Sequence, residues 1–385
     1  MKKLNLGVIG VGGRGSLANY AHNPEDDTLI TAGMDVSQEA LKVFSEKYNN
    51  KVSTYTNYIE MLDKENLDGV FITSPDFCHE EQAIAALERK IPVYLEKPMA
   101  ITIEGCDRIL KVAEKNKAGI VLGHNMRYMN FVLKMKEIID EGTIGDVKAV
   151  WCRHFVSYGG DAYFRDWHSE QKYSNSLLLQ KGAHDIDIIH WLAGGYTKRV
   201  TGFGKLDVYD KCPRRKENEK SDVSFNSTHW PPLEQTEFSP KIDIEDHNMI
   251  LMNLDNGVQA SYLQCHYTPD SCRNYTIIGT KGRIENYGDA REAFIQVWTT
   301  RKDNFSLMGD NSYRICPPAG SHGGADPKIV KGFIEYIRGE SIPHTSPVAS
   351  RNSVATGCKG AESIRANGIP MDIPPLSEKL LEYEY

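Results

Sequence analysis

The stretch from Leu177 to Trp191 places side chains that could do chemistry at helical spacing. Four of them follow at intervals of four, three and four residues: Gln180, His184, Asp187 and Trp191. On a helix these positions share one face, and because apolar residues fill most other positions, we expect that face to line an internal cleft. An imidazole beside a carboxylate in a cleft suits proton transfer and the binding of hydroxyl groups. The alternative is that His184 is a hydrogen-bonded core residue.

Size and composition narrow the class of protein. The 385 residues, at about 150 residues per domain, predict two domains. A hydrophobic content of 40%, a charged content of 25% and no run of about 18 apolar residues predict a soluble protein without a membrane partner. The net charge of −7, with no long basic patch, argues against nucleic acid as a partner. The eight cysteines include no C-x-x-C pair, so we expect a reduced, cytoplasmic protein without a bound metal.

A glycine-rich loop follows the apolar segment LNLGVI near the start of the chain. Gly10, Gly12 and Gly15 are spaced as G-x-G-x-x-G, and Asp35 ends the next strand-like segment 20 residues after Gly15. A strand, a glycine loop, a helix and a second strand ending in a carboxylate predict a dinucleotide site, with the pyrophosphate at the loop and the ribose hydroxyls at Asp35. The alternative is a glycine-rich turn without a nucleotide.

The carboxylate of Asp35 favours NAD over NADP, because it repels the additional phosphate of NADP. Gly13 and Arg14 lie in the same loop, and we count both among the cofactor-binding residues. Arg14 is the reservation about NAD, since its cationic side chain could pair with a 2′-phosphate. The other interpretations of Arg14 place it facing solvent or the pyrophosphate.

Strand-like and helix-like segments then alternate to about residue 124, which is the doubly wound pattern with ligands beyond the carboxyl ends of the strands. Lys97 follows the apolar segment PVYL, where a partly desolvated ammonium could bind a substrate oxygen or pass a proton. The alternative is a solvated Lys97 beside an ion-paired Glu96. The strand ends contribute the remaining predicted cofactor contacts: Thr73, Ser74, Pro75, His79, Glu96, Lys97 and Asn125.

The glycine loop, TSPDFCH (73–79), EKP (96–98), NMRY (125–128) and the helix with His184 and Asp187 together resemble the glucose-fructose oxidoreductase and inositol dehydrogenase family, Gfo/Idh/MocA. The resemblance implies an α/β fold: an N-terminal Rossmann domain with a doubly wound parallel sheet (1–124) and a C-terminal α+β domain with a large open, mainly antiparallel sheet (125–385). It also implies that NAD or NADP lies between them. The implied reaction is hydride transfer to or from a sugar, polyol or sugar derivative.

The resemblance also implies roles for individual residues. Lys97 and His184 match the family's catalytic lysine and histidine, and Asp187 matches an aspartate that contacts substrate hydroxyls. Gln180 is a departure, because related proteins often carry an aspartate there. A neutral amide can orient an imidazole but does not raise its pKa, so the sequence leaves both Lys97 and His184 eligible as the base. Arg127, in NMRY, is a further predicted substrate contact.

The second domain carries strand-like segments that are apolar on both faces, so we expect a helix to cover one face and a second subunit the other, in a homodimer or homotetramer. Tyr163, Arg165 and Trp167 precede the site helix and suit a sugar ring, although a plain surface loop is the alternative. Residues 210–247 form a charged insertion or lid. Two C-terminal amphipathic helices are expected to pack on the Rossmann domain.

These observations predict an NAD-dependent dehydrogenase or reductase that acts on CH–OH groups of a carbohydrate-like substrate. One alternative is a glycoside hydrolase or lyase that retains NAD and oxidises the sugar transiently. Another is a nucleotide-sensing protein without turnover.

Overall fold

The computed structural model describes residues 3–219, 223–289, 293–316 and 320–381. The chain divides into two compact units. The first unit comprises Met1–Tyr128, Ala319–Val354 and Pro375–Tyr385, and the second comprises Met129–Pro318 and Ala355–Pro374. The domain boundary predicted after residue 124 stays a prediction.

The strands, in chain order, are β1 (Leu4–Ile9), β2 (Thr28–Met34), β3 (Ser53–Tyr55), β4 (Gly69–Ile72), β5 (Val93–Leu95), β6 (Ile120–Leu122), β7 (Val147–Phe155), β8 (Thr197–Lys205), β9 (His247–Leu254), β10 (Gln259–Cys265), β11 (Cys272–Gly279), β12 (Arg283–Tyr287), β13 (Phe294–Trp298), β14 (Asn311–Arg314) and β15 (Met371–Asp372). The helices are α1 (Gln38–Lys47), α2 (Tyr58–Lys64), α3 (His79–Glu88), α4 (Ile103–Asn116), α5 (Asn130–Asp140), α6 (Gly159–Tyr163), α7 (Gln171–Ser174), α8 (Leu177–Gln180), α9 (Gly182–Ala193), α10 (Ser321–Ile337), α11 (Pro347–Arg365) and α12 (Glu378–Leu381).

The first unit is built on a parallel sheet whose order, within the described residues, is β3-β2-β1-β4-β5-β6. This is the order of a doubly wound dinucleotide-binding fold. Strands β4, β5 and β6 are wholly buried, as their continuous apolar sequences require of a sheet covered on both faces. Side chains cap the helices that follow: Ser37 accepts a hydrogen bond from the amide of Ala40, and Thr102 accepts one from Gly105.

The second unit is built on an open sheet whose described strands run in the order β14-β13-β12-β11-β7-β10-β9-β8-β15. Every pairing is antiparallel except that of β7 with β10. The predicted α/β fold class, with a Rossmann sheet and a mainly antiparallel second sheet, is therefore confirmed. Along β9 burial alternates, with Ile250 and Met252 buried and Met249 and Leu251 more than half exposed.

The helix predicted from Leu177 to Trp191 is two helices, α8 and α9, separated at Lys181. A Cβ atom on Gly182 would lie 2.9 Å from the ring of Tyr262, so α9 begins at a close contact that only glycine allows. Ser176 caps α8 by accepting a hydrogen bond from the amide of Leu179. Gln180 therefore lies on a separate helix from His184.

Among the described residues, no helix combines the length and the apolar composition that a membrane span requires.

Candidate cofactor and substrate sites

The loop after β1 has a shape that only glycine permits at two positions. Gly10 has a φ of +85°, and a Cβ there would lie 2.6 Å from the backbone nitrogen of Ser74. A Cβ on Gly15 would lie 2.3 Å from the carbonyl oxygen of Gly10. Glycine is needed because the turn is tight and its backbone packs against neighbouring backbone.

Asp35 lies at the end of β2, beside this loop. Its Oδ2 accepts a hydrogen bond from the Gly12 amide at 3.2 Å, and its Oδ1 accepts one from the Ser37 amide at 2.9 Å. Gly12 and Gly13 are exposed, and a Cβ on Gly13 would have open space around it within 4 Å. An exposed glycine backbone next to a fixed carboxylate fits the pyrophosphate and ribose of a dinucleotide.

The predicted contacts near β4 brace this loop. The Thr73 hydroxyl donates to the Gly10 carbonyl oxygen at 2.8 Å, and the Ser74 hydroxyl donates to Gln82 at 2.5 Å. The ring of His79 is fully buried between two carbonyl oxygens, those of Pro98 at 2.7 Å and Ser74 at 2.9 Å. Pro75 precedes a single turn of 3-10 helix.

Arg14 is held by two carboxylates. Its Nε donates to Glu96 at 2.7 Å, and its two terminal nitrogens donate to Asp326 at 2.7 and 3.0 Å. Burial alone would oppose the charged forms, but the ion pair raises the pKa of Arg14 above its usual range, and His322 and Arg14 hold the pKa of Asp326 well below its usual range. The guanidinium is thus engaged by carboxylates, which a 2′-phosphate would have to displace.

The first unit also contains the three remaining predicted site residues: Asn125, Arg127 and Lys97. Asn125 donates to Asp326 at 2.8 Å, and Arg127 is buried and donates to the carbonyl oxygen of His344 at 2.8 Å. Lys97 is partly exposed directly after β5, and its amide donates to Glu96 at 3.1 Å. The alternative interpretation of this segment had Glu96 in an ion pair. The structure contains such a pair, and Arg14 is the partner of Glu96.

In the second unit, α9 carries three of the four residues that were predicted to share one helix face: His184, Asp187 and Trp191. His184 and Asp187 are buried with 9% and 1% of their surface exposed, and Trp191 is partly exposed. Gln180, at the end of α8, is also buried. Polar groups so deeply placed require partners or a polar ligand, because burying them alone is costly.

Asp185, on another face of α9, anchors the helix to the sheet. Its carboxylate accepts hydrogen bonds from Arg273 at 2.9 Å, Tyr275 at 2.5 Å and Tyr262 at 3.2 Å. Although burial favours the neutral acid, Arg273 and the neighbouring donors hold the pKa of Asp185 below its usual range. Burial and Arg273 lower the pKa of nearby His154 to about 4, so this imidazole is neutral.

The loop before α8 distributes its predicted sugar-binding side chains unevenly. Arg165 is buried, lies 3.4 Å from Asp161 and 4.9 Å from the centre of the Phe238 ring. Trp167 is partly exposed and stacks on His168 with ring centres 3.7 Å apart. Tyr163 is buried, and its ring lies nearly perpendicular to that of His168, with ring centres 5.3 Å apart.

The segment 210–247 packs against this loop through Cys212, Phe238 and Ile244, which share one apolar cluster with Tyr209 and Phe164. His229 contacts Asp161 at 2.6 Å, which ties the segment to α6. Asp246 accepts three backbone amides from residues 207–209 and therefore caps a turn.

Three residues of these sites escaped the sequence analysis. Asp326 joins Arg14 across 312 residues of chain, and only its place in the glycine-rich stretch GSHGGAD could have marked it. Lys181 and Tyr158 form a hydrogen bond of 3.0 Å. Lys181 stands three residues before His184, a spacing that could have drawn attention to it.

The fold and the loop define a dinucleotide-binding α/β protein, and comparison with known proteins gives its family. Residues 4–124 match the family model described as an oxidoreductase family with an NAD-binding Rossmann fold. Residues 132–285 match the model of the GFO/IDH/MocA C-terminal domain. The chain belongs to the Gfo/Idh/MocA family, which confirms the resemblance, and it is an NAD-binding oxidoreductase of that family.

Two curated relatives illustrate the extent of the similarity. The Bacillus subtilis (strain 168) protein YteT is 26% identical over 312 residues, which are 71% of this chain and 73% of YteT. The inositol 2-dehydrogenase/D-chiro-inositol 3-dehydrogenase of Halalkalibacterium halodurans is 32% identical over 192 residues, 49% of this chain and 52% of that enzyme. The chain thus matches about half the length of the inositol dehydrogenases.

Solved structures share the whole fold. A levoglucosan dehydrogenase in complex with NADH and levoglucosan superposes with a TM-score of 0.77 at 18% identity, covering 97% of this chain and 100% of that one. At this identity the likeness concerns the fold alone.

Proposed function

We propose that the protein is an NAD-dependent dehydrogenase or reductase that transfers hydride between the nicotinamide and a CH–OH group of a sugar, polyol or sugar derivative. The observation that carries the proposal is the Asp35 carboxylate, fixed by the Gly12 and Ser37 amides beside an exposed glycine loop. Similarity to inositol dehydrogenases supports the substrate class.

The proposal gives this chain's residues distinct roles. Gly10, Gly12, Gly15 and Asp35 bind the dinucleotide, which supplies the hydride acceptor when bound. The Lys97 ammonium stabilises the oxygen of the reacting hydroxyl. His184 accepts the proton of that hydroxyl during oxidation and returns a proton to the oxygen during reduction. We assign Asp187 and Gln180 to neighbouring hydroxyls, for which their buried positions on α9 and α8 are suited.

Absorbance at the nicotinamide band tests this proposal with purified protein, NAD and a panel of inositols, polyols, sugars and glycosides. We expect NADH to accumulate together with an oxidised product identified by mass. Cleavage of a glycoside without net NADH would instead favour a hydrolase or lyase that retains NAD. Binding of NAD without any turnover would favour a sensing protein.

Two substitutions test the assigned roles. We expect His184→Ala and Lys97→Met each to lower turnover about 100-fold or more while NAD still binds, as removal of an acid or base group does. Lys115→Met, which removes an exposed lysine of α4, is the matched control and should leave turnover unchanged. Unchanged turnover in either site variant would contradict its role.

We also propose that a second copy of this chain covers the open face of the second unit's sheet. Five large apolar side chains project from this face with at least 38% of their surface exposed: Trp151, Phe203, Met249, Leu251 and Leu263. Phe203, Met249 and Leu263 pair across β8, β9 and β10, so the apolar surface is continuous. A continuous apolar patch of this kind is typical of a subunit interface.

A further inference from the structure

Lys181 stands between α8 and α9 in the second unit, with its side chain partly exposed. Its Nζ donates a hydrogen bond to the Tyr158 hydroxyl at 3.0 Å. The ammonium also lies over two aromatic rings, 5.3 Å from the centre of Tyr158 and 5.6 Å from that of Tyr163. Such contacts hold a cation in place without neutralising its charge.

The acidic side chains near Lys181 are paired with another residue. Within the described residues, no carboxylate oxygen lies within ion-pair distance of its Nζ. The two acidic side chains nearby serve Arg273 instead, Asp185 at 2.9 Å and Asp289 at 3.1 Å. His154 does not supply or need a counter-ion, because burial lowers its pKa to about 4. Lys181 is therefore a partly buried cation whose side-chain partners are phenols and not carboxylates.

The two phenols favour the charged form of the lysine. Burial opposes ionisation of Lys181, but Tyr163 and Tyr158 raise its pKa above the usual range. Burial likewise opposes ionisation of Tyr158, but Lys181 and Arg273 lower its pKa. His266, whose pKa burial holds well below its usual range, remains neutral beside them. A cation in this setting gains most from an anion that arrives with a ligand.

The position of Lys181 relates it to His184, the residue assigned to the reacting hydroxyl. Lys181 is the N-cap of α9 and precedes His184 by three residues, and its φ of −96° and ψ of −43° lie in the right-handed helical region. At helical spacing the two Cβ atoms are about 5–6 Å apart. One sugar unit spans this separation. A sugar whose hydroxyl reaches His184 can therefore present a second substituent to Lys181.

We propose that Lys181, oriented by Tyr158, is a specificity-determining residue that binds an anionic group of the substrate, so the preferred substrate is an acidic sugar. The inference rests on the proposed function and adds a substrate class to it. The shared chemistry is one negative charge close to the reacting carbon, which a uronic acid provides as a carboxylate and a sugar phosphate as a phosphate. The ammonium donates a charge-assisted hydrogen bond to either.

The test compares kcat/KM for matched substrates: neutral sugars, the corresponding uronic acids and the corresponding sugar phosphates. We expect the wild-type protein to prefer an acidic member over its neutral parent by about 10- to 100-fold, the worth of a hydrogen bond to a charged group. The better of the two acidic series identifies the source of the charge. Equal or better use of the neutral parents would overturn the inference.

Substitutions assign the preference to this residue. Lys181→Met should remove the 10- to 100-fold preference and leave kcat/KM for the neutral sugar within about threefold, while Lys181→Arg, which keeps the charge, should retain most of it. Lys172→Met removes an exposed lysine paired with Glu170 and should change neither value. An equal loss on neutral and acidic sugars in Lys181→Met would mean a structural role and would overturn the inference.

Ligand-induced thermal stabilisation gives a readout that does not depend on turnover. With NAD present, a uronic acid or sugar phosphate should raise the melting temperature of the wild-type protein more than its neutral parent does, and Lys181→Met should lose that difference. Oxidation of neutral sugars with no acidic preference would overturn this inference and leave the proposed function standing. Acidic stabilisation lost in Lys181→Met, without NADH from any substrate, would support the anion site and contradict the proposed function.

Discussion

We expect cofactor choice to depend most directly on Asp35, because a carboxylate that follows the second strand of a dinucleotide-binding fold favours NAD over NADP. We expect Asp35→Ser to lower the ratio of kcat/KM with NAD to kcat/KM with NADP by about tenfold or more, since the substitution removes both a ribose hydroxyl acceptor and a repulsive charge. Steady-state kinetics with the two cofactors measures this ratio. A ratio unchanged by the substitution would mean that the ribose lies elsewhere.

Asp326 is a second residue whose substitution we expect to have a measurable effect, in this case on stability. Its side chain is 1% exposed and pairs with Arg14, whose side chain is 29% exposed. Asp326→Asn should therefore lower the free energy of unfolding at neutral pH by about 3 kcal/mol, the low end of the range for removing one partner from a buried pair. Urea unfolding measures the change. Asp372→Asn, which breaks the exposed pair with Arg199, is the control and should produce no measurable change.

The pH dependence of that difference follows from the depressed pKa of Asp326 in the folded protein. A carboxyl of this kind stabilises the fold above the pKa it has when unfolded, about 4, and the stabilisation is lost progressively as the pH falls towards the folded-state value. The gap between wild type and Asp326→Asn should therefore be full at pH 6 to 7 and shrink below about pH 4. A gap that is constant from pH 7 to 3 would contradict the ion pair.

Individual residues also show where sequence reasoning ends. The roles of Gly10, Gly15 and Asp35 in shaping the loop follow from local spacing, because neighbouring elements fix them. The capture of Arg14 by Asp326 joins residues 312 positions apart, and no local pattern encodes such a pair. The cofactor and substrate roles assigned from the sequence stay predictions, which the substitutions described above test.

At the scale of elements, the alternation of strands and helices was enough to predict the doubly wound sheet, because buried parallel strands carry continuous apolar sequences. The prediction of a single helix from Leu177 to Trp191 was wrong, because this segment forms two helices, α8 and α9. Periodicity alone does not reveal the interruption at Lys181, which accompanies the close packing of Gly182 against Tyr262. Contact with a distant strand here overrides the local pattern.

The open face of the sheet leads to a prediction about assembly. Leu251 is 62% exposed in the single chain, so Leu251→Lys should leave the fold intact but place a charge in the proposed interface between copies. We expect light scattering to show a smaller assembly than the wild type. Leu307→Lys, at an exposed apolar position in the loop between β13 and β14, serves as the control and should not change the mass. A monomeric wild type would contradict the proposed interface.

For the molecule as a whole, the family and the fold agree with the expectation from the sequence, since the two family matches together cover residues 4–124 and 132–285 and the two sheets have the expected topologies. Substrate identity was less accessible to the sequence. In our proposal it depends on the partly buried Lys181. The sequence does not show whether a carboxylate neutralises this lysine, whereas the structure shows that its neighbours are the phenols of Tyr158 and Tyr163.

In the proposed reaction, hydride passes from a substrate carbon to NAD. The most direct measurement uses a substrate from the panel that carries deuterium on the carbon bearing the reacting hydroxyl, with mass analysis of the nicotinamide product. We expect deuterated NADH in amounts equal to the oxidised sugar, with transfer reduced about 100-fold or more in His184→Ala. Sugar conversion that leaves NAD undeuterated would contradict it.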